Sequence, residues 1–398
     1  MSLIDVVREQ IRTRGPLTAA AFIDLALYHR EFGYYARAGR RSGRGGDFFT
    51  SVDVGPLFGE LLAVQIAQCF DLLSGPKPQA PLDLVEAGAG NGRLARDVFD
   101  ALERERPDLY ARTRLHLVER SQRAREAQRG TLGPHVRQLH TDTRGSGAVS
   151  GRELSEGLVG VIYANELVDA LPVHIVVMRE RGLREILVGE RDGALVEVEG
   201  APSTPALQAY LDRADIALEP GGRAEINLAA DDWIASAARA IERGFLILID
   251  YGHVAAELFS GSHATGTLTT FSAHRAAARA PDWLREPGER DITSHVDLTS
   301  VRLAAERAGF TTLGVTDQTY FLMGLGLPDR LASGFPPPPE ASARRAEARF
   351  AREGGSRTNQ AKTLMLPGGL GSTHKVMVFG KGVGQPALKG LSYRVRVT

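Results

Sequence analysis

Residues 86–92 read Glu-Ala-Gly-Ala-Gly-Asn-Gly, an acid followed by a glycine at every second position. Glycines let a ligand approach the backbone with no Cβ in the way. A pyrophosphate turn needs G-x-G-x-x-G and a helix N-terminus free for the phosphates. Here the third glycine comes one residue early, and Glu86 precedes the loop. A carboxylate repels a phosphate and welcomes an amine or a sulfonium. A cofactor with a cationic end and an adenosine end, S-adenosyl-L-methionine, meets that requirement, with Gly88 and Gly90 lining its cradle. Glu119, ending the next apolar run, is placed to accept hydrogen bonds from both ribose hydroxyls, and Asp142, ending the one after, to meet the adenine amino group. Singly, each acid reads as a solvated strand end or a helix cap. At the ends of consecutive strands they favour a methyl donor over a nicotinamide dinucleotide.

A second group stands at 159–174, VGVIYANELVDALPVH, where an apolar strand runs straight into Asn165, Glu166 and Asp169. These polar groups either serve a ligand or a reaction, or form a helix N-terminus with Asn165 as cap and the acids in its first turn. His253 follows Asp250-Tyr251-Gly252 and is a candidate general base. Asp47 and Thr50 lie at the exit of a glycine-rich basic loop, ARAGRRSGRGGDFFTS, and are candidates for a lid over the cofactor. No His, Cys or carboxylate spacing resembles a metal site, so no metal is expected.

The elements that must position these residues follow from periodicity. The first 75 residues read as helices: one capped by Ser2, one from Thr18 to Gly33, and one from about Gly55 to Leu73. From residue 81, short apolar runs alternate with amphipathic segments: LDLVEAG, RLHLVER, VRQLHTD (136–142), GLVGVIYANE and GFLILIDYG as strands. Such a pattern predicts a doubly wound α/β domain with a mostly parallel sheet covered on both faces. Two later strands, TTLGVTDQTYFL and HKVMVFGKG, bring the count to seven, with LTSVRLAAERAGF as a helix capped near Asp297. A detour contains a hairpin turning at Asp192-Gly193 and the helix DDWIASAARAIERG. The resulting organisation is an N-terminal helical extension with the lid loop at 1–78, a first part of the core at 79–178, and an inserted subdomain at 179–240. The rest of the core occupies 241–384, with a Pro-rich excursion at 335–355, and a tail follows at 385–398.

Composition sets outer limits. A chain of 398 residues, 43% hydrophobic and 24% charged, buries a large core, which excludes whole-chain disorder. Lys plus Arg and Asp plus Glu are 48 each, so the net charge offers no field to gather nucleic acid or acidic lipid. No stretch reaches the roughly 20 apolar residues of a membrane helix. The single cysteine, Cys69, cannot form an intramolecular disulfide, and the N-terminus resembles neither a signal nor a transit peptide, so a cytoplasmic location is expected. Oligomeric state stays open, a homodimer included.

The motifs GYY (33–35), GDFFTS (46–51), FGELL (58–62), VEAGAGNGRL (85–94), HLVERS (116–121), ANELVDALPVH (164–174), IDYGH (249–253) and PGERDITSHVDL (287–298) together resemble the MidA-like family. This family comprises bacterial and mitochondrial methyltransferases, among them the complex I assembly factor that acts on an arginine. The resemblance implies a Rossmann-like class I methyltransferase fold, S-adenosyl-L-methionine as donor and a protein arginine as acceptor. Glu166 and Asp169 would then grip the guanidinium, fix its plane and take the released proton, with Asn165 holding cofactor or acceptor. This chain departs from the family at Val52-Asp53 (usually Pro-Glu), at Thr267-Leu268-Thr269-Thr270 (usually Thr-Leu-Arg-Gly), and at PGGLGSTHKVMVF (usually a Gly-Glu-Arg-Phe pattern). Those departures keep open a small-molecule or peptide acceptor, and a non-catalytic assembly factor on the same fold.

Overall fold

The computed structural model describes residues 2–36, 50–75, 80–140, 156–272, 275–277, 282–332, 357–365 and 370–393. Asp47, Asp142 and the Pro-rich excursion 335–355 lie outside them. Among the described residues the central sheet has seven strands. Leu82–Ala87 lies between Thr113–Val118 and Leu158–Asn165, parallel to both, and Leu158–Asn165 pairs in parallel with Ile241–His253. His374–Lys381 then runs antiparallel to Ile241–His253, and Thr311–Asp317 forms the edge antiparallel to it. A two-residue strand, Val296–Asp297, pairs with Gly252 and His253. Apolar residues such as Val161, Tyr163, Phe245 and Ile247 face one side, and Ile162, Leu246 and Leu248 the other, so both faces bury. Near-continuous apolar runs in the sequence have this two-sided burial as their cause.

One expected strand is corrected. Residues 133–138 form a 3-10 turn, and only Leu139 bridges to Leu115, while Val296–Asp297 supplies the seventh strand instead. Gly133 closes the preceding helix in a left-handed conformation, φ 57°, and Pro134 follows it, so the chain turns where apolar alternation alone suggested extension. The helix expected to stop at Gly33 ends earlier, at Tyr28, and TTLGVTDQTYFL divides into the strand Thr311–Asp317 and the helix Gln318–Gly324.

The inserted residues form a second, five-stranded antiparallel sheet that begins at His174 rather than 179. Gly182–Arg191 and Ala194–Gly200 make the expected hairpin, with Asp192 at φ 50° and Gly193 at φ 75° in its turn. Leu17–Thr18 pairs with Leu187 and Val188, so the N-terminal extension and the insertion share one sheet. Phe22, Ile23 and Leu27 of the helix Ala19–Tyr28 pack with Ile175, Ile186 and Val188 of that sheet.

Leu57–Ser74 has 18 residues and a mean hydropathy of 1.3, enough by length and composition to cross a membrane, yet 72% of it is buried inside the fold. It is the main helix on one sheet face, packed against Arg93–Glu105. The two helices approach closely at Gly59, where an added Cβ would lie 2.7 Å from the Asp97 Cβ. Gly390 N–H donates to Gln65 Oε1 (2.9 Å) and docks the C-terminal segment onto the same helix. Gly59→Val forces the two helices apart and is expected to cost about 1–3 kcal/mol of unfolding free energy, measured by urea denaturation.

Candidate active site

The turn after Leu82–Ala87 needs left-handed backbone three times over: Gly88, Gly90 and Gly92 have φ of 71°, 51° and 82°. A Cβ at Gly90 would meet open space, so its glycine serves the backbone conformation and keeps the cradle clear. A Cβ at Gly88 would touch Leu167 Cδ1 at 3.0 Å, so the loop also packs on the segment that follows Glu166. Glu119 sits across the loop and accepts from Gly90 N–H at 2.8 Å through one oxygen and from Ser121 N–H at 2.7 Å through the other. Each oxygen keeps lone-pair capacity for a hydroxyl donor. Burial pushes the Glu119 carboxyl upward, and the N–H donors of Ser121 and Gly90 oppose it.

Glu86 is placed differently from a carboxylate open to a ligand. It is 5% exposed and accepts a 3.0 Å hydrogen bond from the Tyr163 hydroxyl. Burial drives its carboxyl up to about 8, against the Tyr163 and Ala95 hydrogen bonds. Thr50 is buried too: its N–H and hydroxyl both bond Asp53 Oδ2, at 3.1 and 3.0 Å, capping the helix Ser51–Val54. The other Asp53 oxygen holds Arg93, directly after Gly92, at 3.2 Å. Asp53, one of the departures from the family pattern, therefore joins the exit of the glycine-rich loop to the cofactor loop.

At the end of Leu158–Asn165 there is no helix for Asn165 to cap. The chain makes an irregular turn, and Glu166 adopts φ 51°, a conformation costing a non-glycine residue on the order of 1–3 kcal/mol. The turn is held from the neighbouring strand. Glu166 N–H donates to Ile249 O (2.8 Å), and Asp250 Oδ2 accepts from Val168 N–H (2.8 Å) and Asp169 N–H (3.3 Å), while Asp250 Oδ1 accepts from Tyr251 N–H (2.9 Å). Glu166 Oε1 in turn receives Asn165 Nδ2 (3.2 Å) and Ser51 N–H (3.4 Å), and lies 3.5 Å from His374 Nε2. His374 comes from the segment that departs from the family near the C-terminus. Burial works against its charge, but Glu166 and Asp250 hold the imidazole above its ordinary value.

Asp169 is 6% exposed, with Oδ1 buried and without a hydrogen-bond partner. Burial, then the charges of Asp250, Glu166 and Asp291, hold its carboxyl well above the usual range, against a hydrogen bond from Tyr251. Asp250 is pushed up to about 7, first by burial and then by Glu166. Asp291 accepts from the Tyr35 hydroxyl at 3.1 Å, Tyr35 stacks on Tyr28 (5.3 Å between centroids), and the Tyr28 hydroxyl bonds Ala170 O (2.9 Å). Four acids from three segments thus share one aromatic-walled region. Asp250, Asp291 and His374 were not singled out from the sequence, although Asp250 and Asp291 lie inside quoted motifs.

His253 is half-buried, 3.0 Å from Glu257 through Nδ1, and its ring stacks on His295. The sequence-derived residues therefore fall into three groups: Glu86, Gly88, Gly90 and Glu119 at the cofactor loop, Asn165, Glu166 and Asp169 at the acidic turn, and His253 in a separate histidine cluster. Thr50 borders the first two.

Residues 61–316 match the family model described as "Putative S-adenosyl-L-methionine-dependent methyltransferase". The chain belongs to this family. It is 30% identical over 343 residues to the mitochondrial protein arginine methyltransferase NDUFAF7 homolog of Drosophila melanogaster, covering 81% of this chain and 74% of that protein. The mouse protein arginine methyltransferase NDUFAF7 is 29% identical over 344 residues, covering 81% of this chain and 73% of that one. A Burkholderia thailandensis crystal structure bound to S-adenosyl-homocysteine superposes with a TM-score of 0.81 at 27% identity, over 99% of this chain and 95% of that one. The cofactor is S-adenosyl-L-methionine, and the fold is that of a Rossmann-like methyltransferase. The open Gly90 and the two-oxygen placement of Glu119 fit it.

Two measurements check this geometry. Glu119→Ala removes a charged acceptor and is expected to weaken S-adenosyl-L-methionine binding by about 10- to 100-fold in calorimetry, the equivalent of roughly 1.5–3 kcal/mol. Asp250→Asn tests the buried acid: a folded pKa of about 7 lies above the unfolded value of about 3.9, so its stabilisation is present below about pH 4 and lost as pH rises through about 7. Urea denaturation is expected to show the variant less stable at acidic pH and the gap narrowing as pH rises.

Proposed function

We propose that this methyltransferase acts on an arginine side chain of a protein. The observation that carries the reading is the convergence of Glu166, Asp169, Asp250 and Asp291 with a single imidazole, His374, among them and with tyrosines beside them. Asp169 and Asp250, buried beside like charges, are held toward the protonated form, and a cation entering among them favours their ionisation. The Asp169 oxygen without a partner is an acceptor for a guanidinium N–H. Tyr35 and Tyr251 bring aromatic rings beside these acids, while Tyr28 already stacks on Tyr35 and carries the Arg120 guanidinium 4.3 Å from its centroid. The names of the Drosophila and mouse relatives, both protein arginine methyltransferases, agree with this acceptor.

When bound, S-adenosyl-L-methionine supplies an electrophilic methyl group, and the protein's task is alignment and charge. Guanidinium nitrogens are poor nucleophiles because the group stays protonated at neutral pH. The carboxylates of Glu166 and Asp169 grip two edges of the guanidinium, concentrate electron density on the remaining nitrogen and hold it in line. The proton lost from the methylated nitrogen passes to one of these carboxylates. The Ser51 N–H and Asn165 amide fix Glu166 so that its charge is aimed rather than mobile.

Glu166→Gln is expected to lower kcat for methyl transfer by about 100-fold or more while leaving cofactor affinity within about threefold, the pattern of an interaction made at the transition state. Labelled S-adenosyl-L-methionine with lysate, followed by mass spectrometry, identifies the acceptor; label on a non-arginine product removes the proposal. Because Asp250 titrates near 7 and Asp169 above its usual range, affinity for an arginine peptide is expected to rise with pH through neutrality.

A further inference from the structure

Three histidines from separate segments meet beside the acidic turn. His253 ends the strand Ile241–His253, His263 ends the short 3-10 turn Gly261–His263, and His295 precedes Val296–Asp297. Ring centroids are 5.3 Å apart for His253 and both neighbours, and 6.1 Å for His263 and His295. One nitrogen from each ring lies within 4.8 Å of the other two. Three basic rings so close repel one another when protonated, and the Glu257 carboxylate stands beside only His253.

Hydrogen bonds around the cluster leave nitrogens free for a shared ligand. His253 Nδ1 lies 3.0 Å from the Glu257 carboxylate, and His263 Nδ1 lies 3.1 Å from the Glu257 main-chain oxygen. An imidazole that donates Nδ1–H to a carboxylate or carbonyl presents its Nε2 lone pair, the arrangement that orients histidine ligands in metal sites. His295 Nδ1 is buried without a hydrogen-bond partner. Its main-chain N–H donates to Thr267 Oγ1 (3.1 Å), and its ring meets Tyr251 edge-on at 5.4 Å, so it is fixed in place.

We infer that His253, His263 and His295 form a binding site for a divalent first-row transition metal of the zinc class, with water as a fourth ligand. Metal–nitrogen distances of about 2.0–2.1 Å require the nitrogens to draw together. His263, on a short surface turn, is the one that moves, while His253 stands on a paired strand and His295, between two short strands, is held by its main-chain bond to Thr267. Glu257 serves twice, by its side chain to His253 and by its carbonyl to His263. Bound metal would clamp residues 255–267 against the strand end that carries Tyr251, and so set one border of the acidic region. In this arrangement His253 is a ligand, not the general base its position after Asp-Tyr-Gly suggests. The inference is independent of the acceptor, because it rests on residues outside both the cofactor loop and the acidic turn.

The test uses the full chain without a polyhistidine tag, stripped by a chelator, dialysed and titrated with Zn²⁺ against a chromophoric competitor. One equivalent per chain is expected, and Co²⁺ in its place is expected to give the intense visible bands of four-coordinate geometry. Glu257→Gln is expected to loosen Zn²⁺ by about 10- to 100-fold, and His263→Ala or His295→Ala by more. S-adenosyl-L-methionine binding by each variant reports that the chain is folded; if His295→Ala fails that check, His263→Ala, on the surface turn, decides. Unmodified chain that binds Zn²⁺ no more tightly than folded His263→Ala overturns the inference, as does six-coordinate Co²⁺.

Discussion

One carboxylate organises the site. Asp250 accepts main-chain N–H groups from Val168 and Asp169 on one strand end and from Tyr251 on its own, so it ties together two strands at the point where both leave the sheet. A turn that contains a left-handed glutamate has no regular hydrogen-bond ladder to hold it. Buried main-chain donors must nevertheless find acceptors, and a charged or shared-proton carboxyl is the strong one available. Glu166, Asp169 and the contact between Gly88 and Leu167 all inherit their positions from this anchor.

The same anchor carries an electrostatic cost. Asp250 adds a third acid to Glu166 and Asp169, and Asp291 a fourth. His374 offsets part of the charge, and N–H donors and tyrosine hydroxyls offset more. The repulsion is concentrated at this one region, whereas elsewhere acids pair with arginines, as at Arg223 and Glu197, and under the proposed function an incoming guanidinium would relieve it. Cofactor loop and acidic region are neighbours through packing: Leu167 lies against Gly88, and Ser51 reaches Glu166 while Asp53, in the same helix, reaches Arg93.

Legibility in the sequence followed the range of the interactions. Strands such as 82–87, 158–165 and 241–253 were readable because burial on both faces leaves unbroken apolar runs, and the helices because caps such as Ser2, Thr18 and Asp297 are local. The glycine loop belongs to one strand, turn and helix, and Glu119 comes beside it at the end of the next strand, so their proximity follows from consecutive elements. Asn165 as a helix cap was not sustained, since the Asp250 bonds that shape the turn come from a segment far along the chain. His374 and the three-histidine cluster were hidden for the same reason: residues 253, 263 and 295 have no motif spacing, and only the sheet brings them together. Glu86 shows a further limit, because a strand-end acid gives no sign in sequence of whether it points to the ligand or under the loop.

The pairing of Leu17–Thr18 with Leu187 and Val188 has a consequence for how the molecule comes into being. The first two helices carry apolar faces, Leu3 and Val7, then Phe22, Ile23 and Leu27, whose cover comes from strands after residue 173. During synthesis the N-terminus therefore waits, sticky and unpartnered, while the first half of the central sheet is made. Long-range closure of this kind slows folding and lengthens exposure to aggregation. Tyr28 and Tyr35, at the end of the helix that this sheet covers and just beyond it, border the acidic region, so a nascent chain sets that wall only after the insertion has been built.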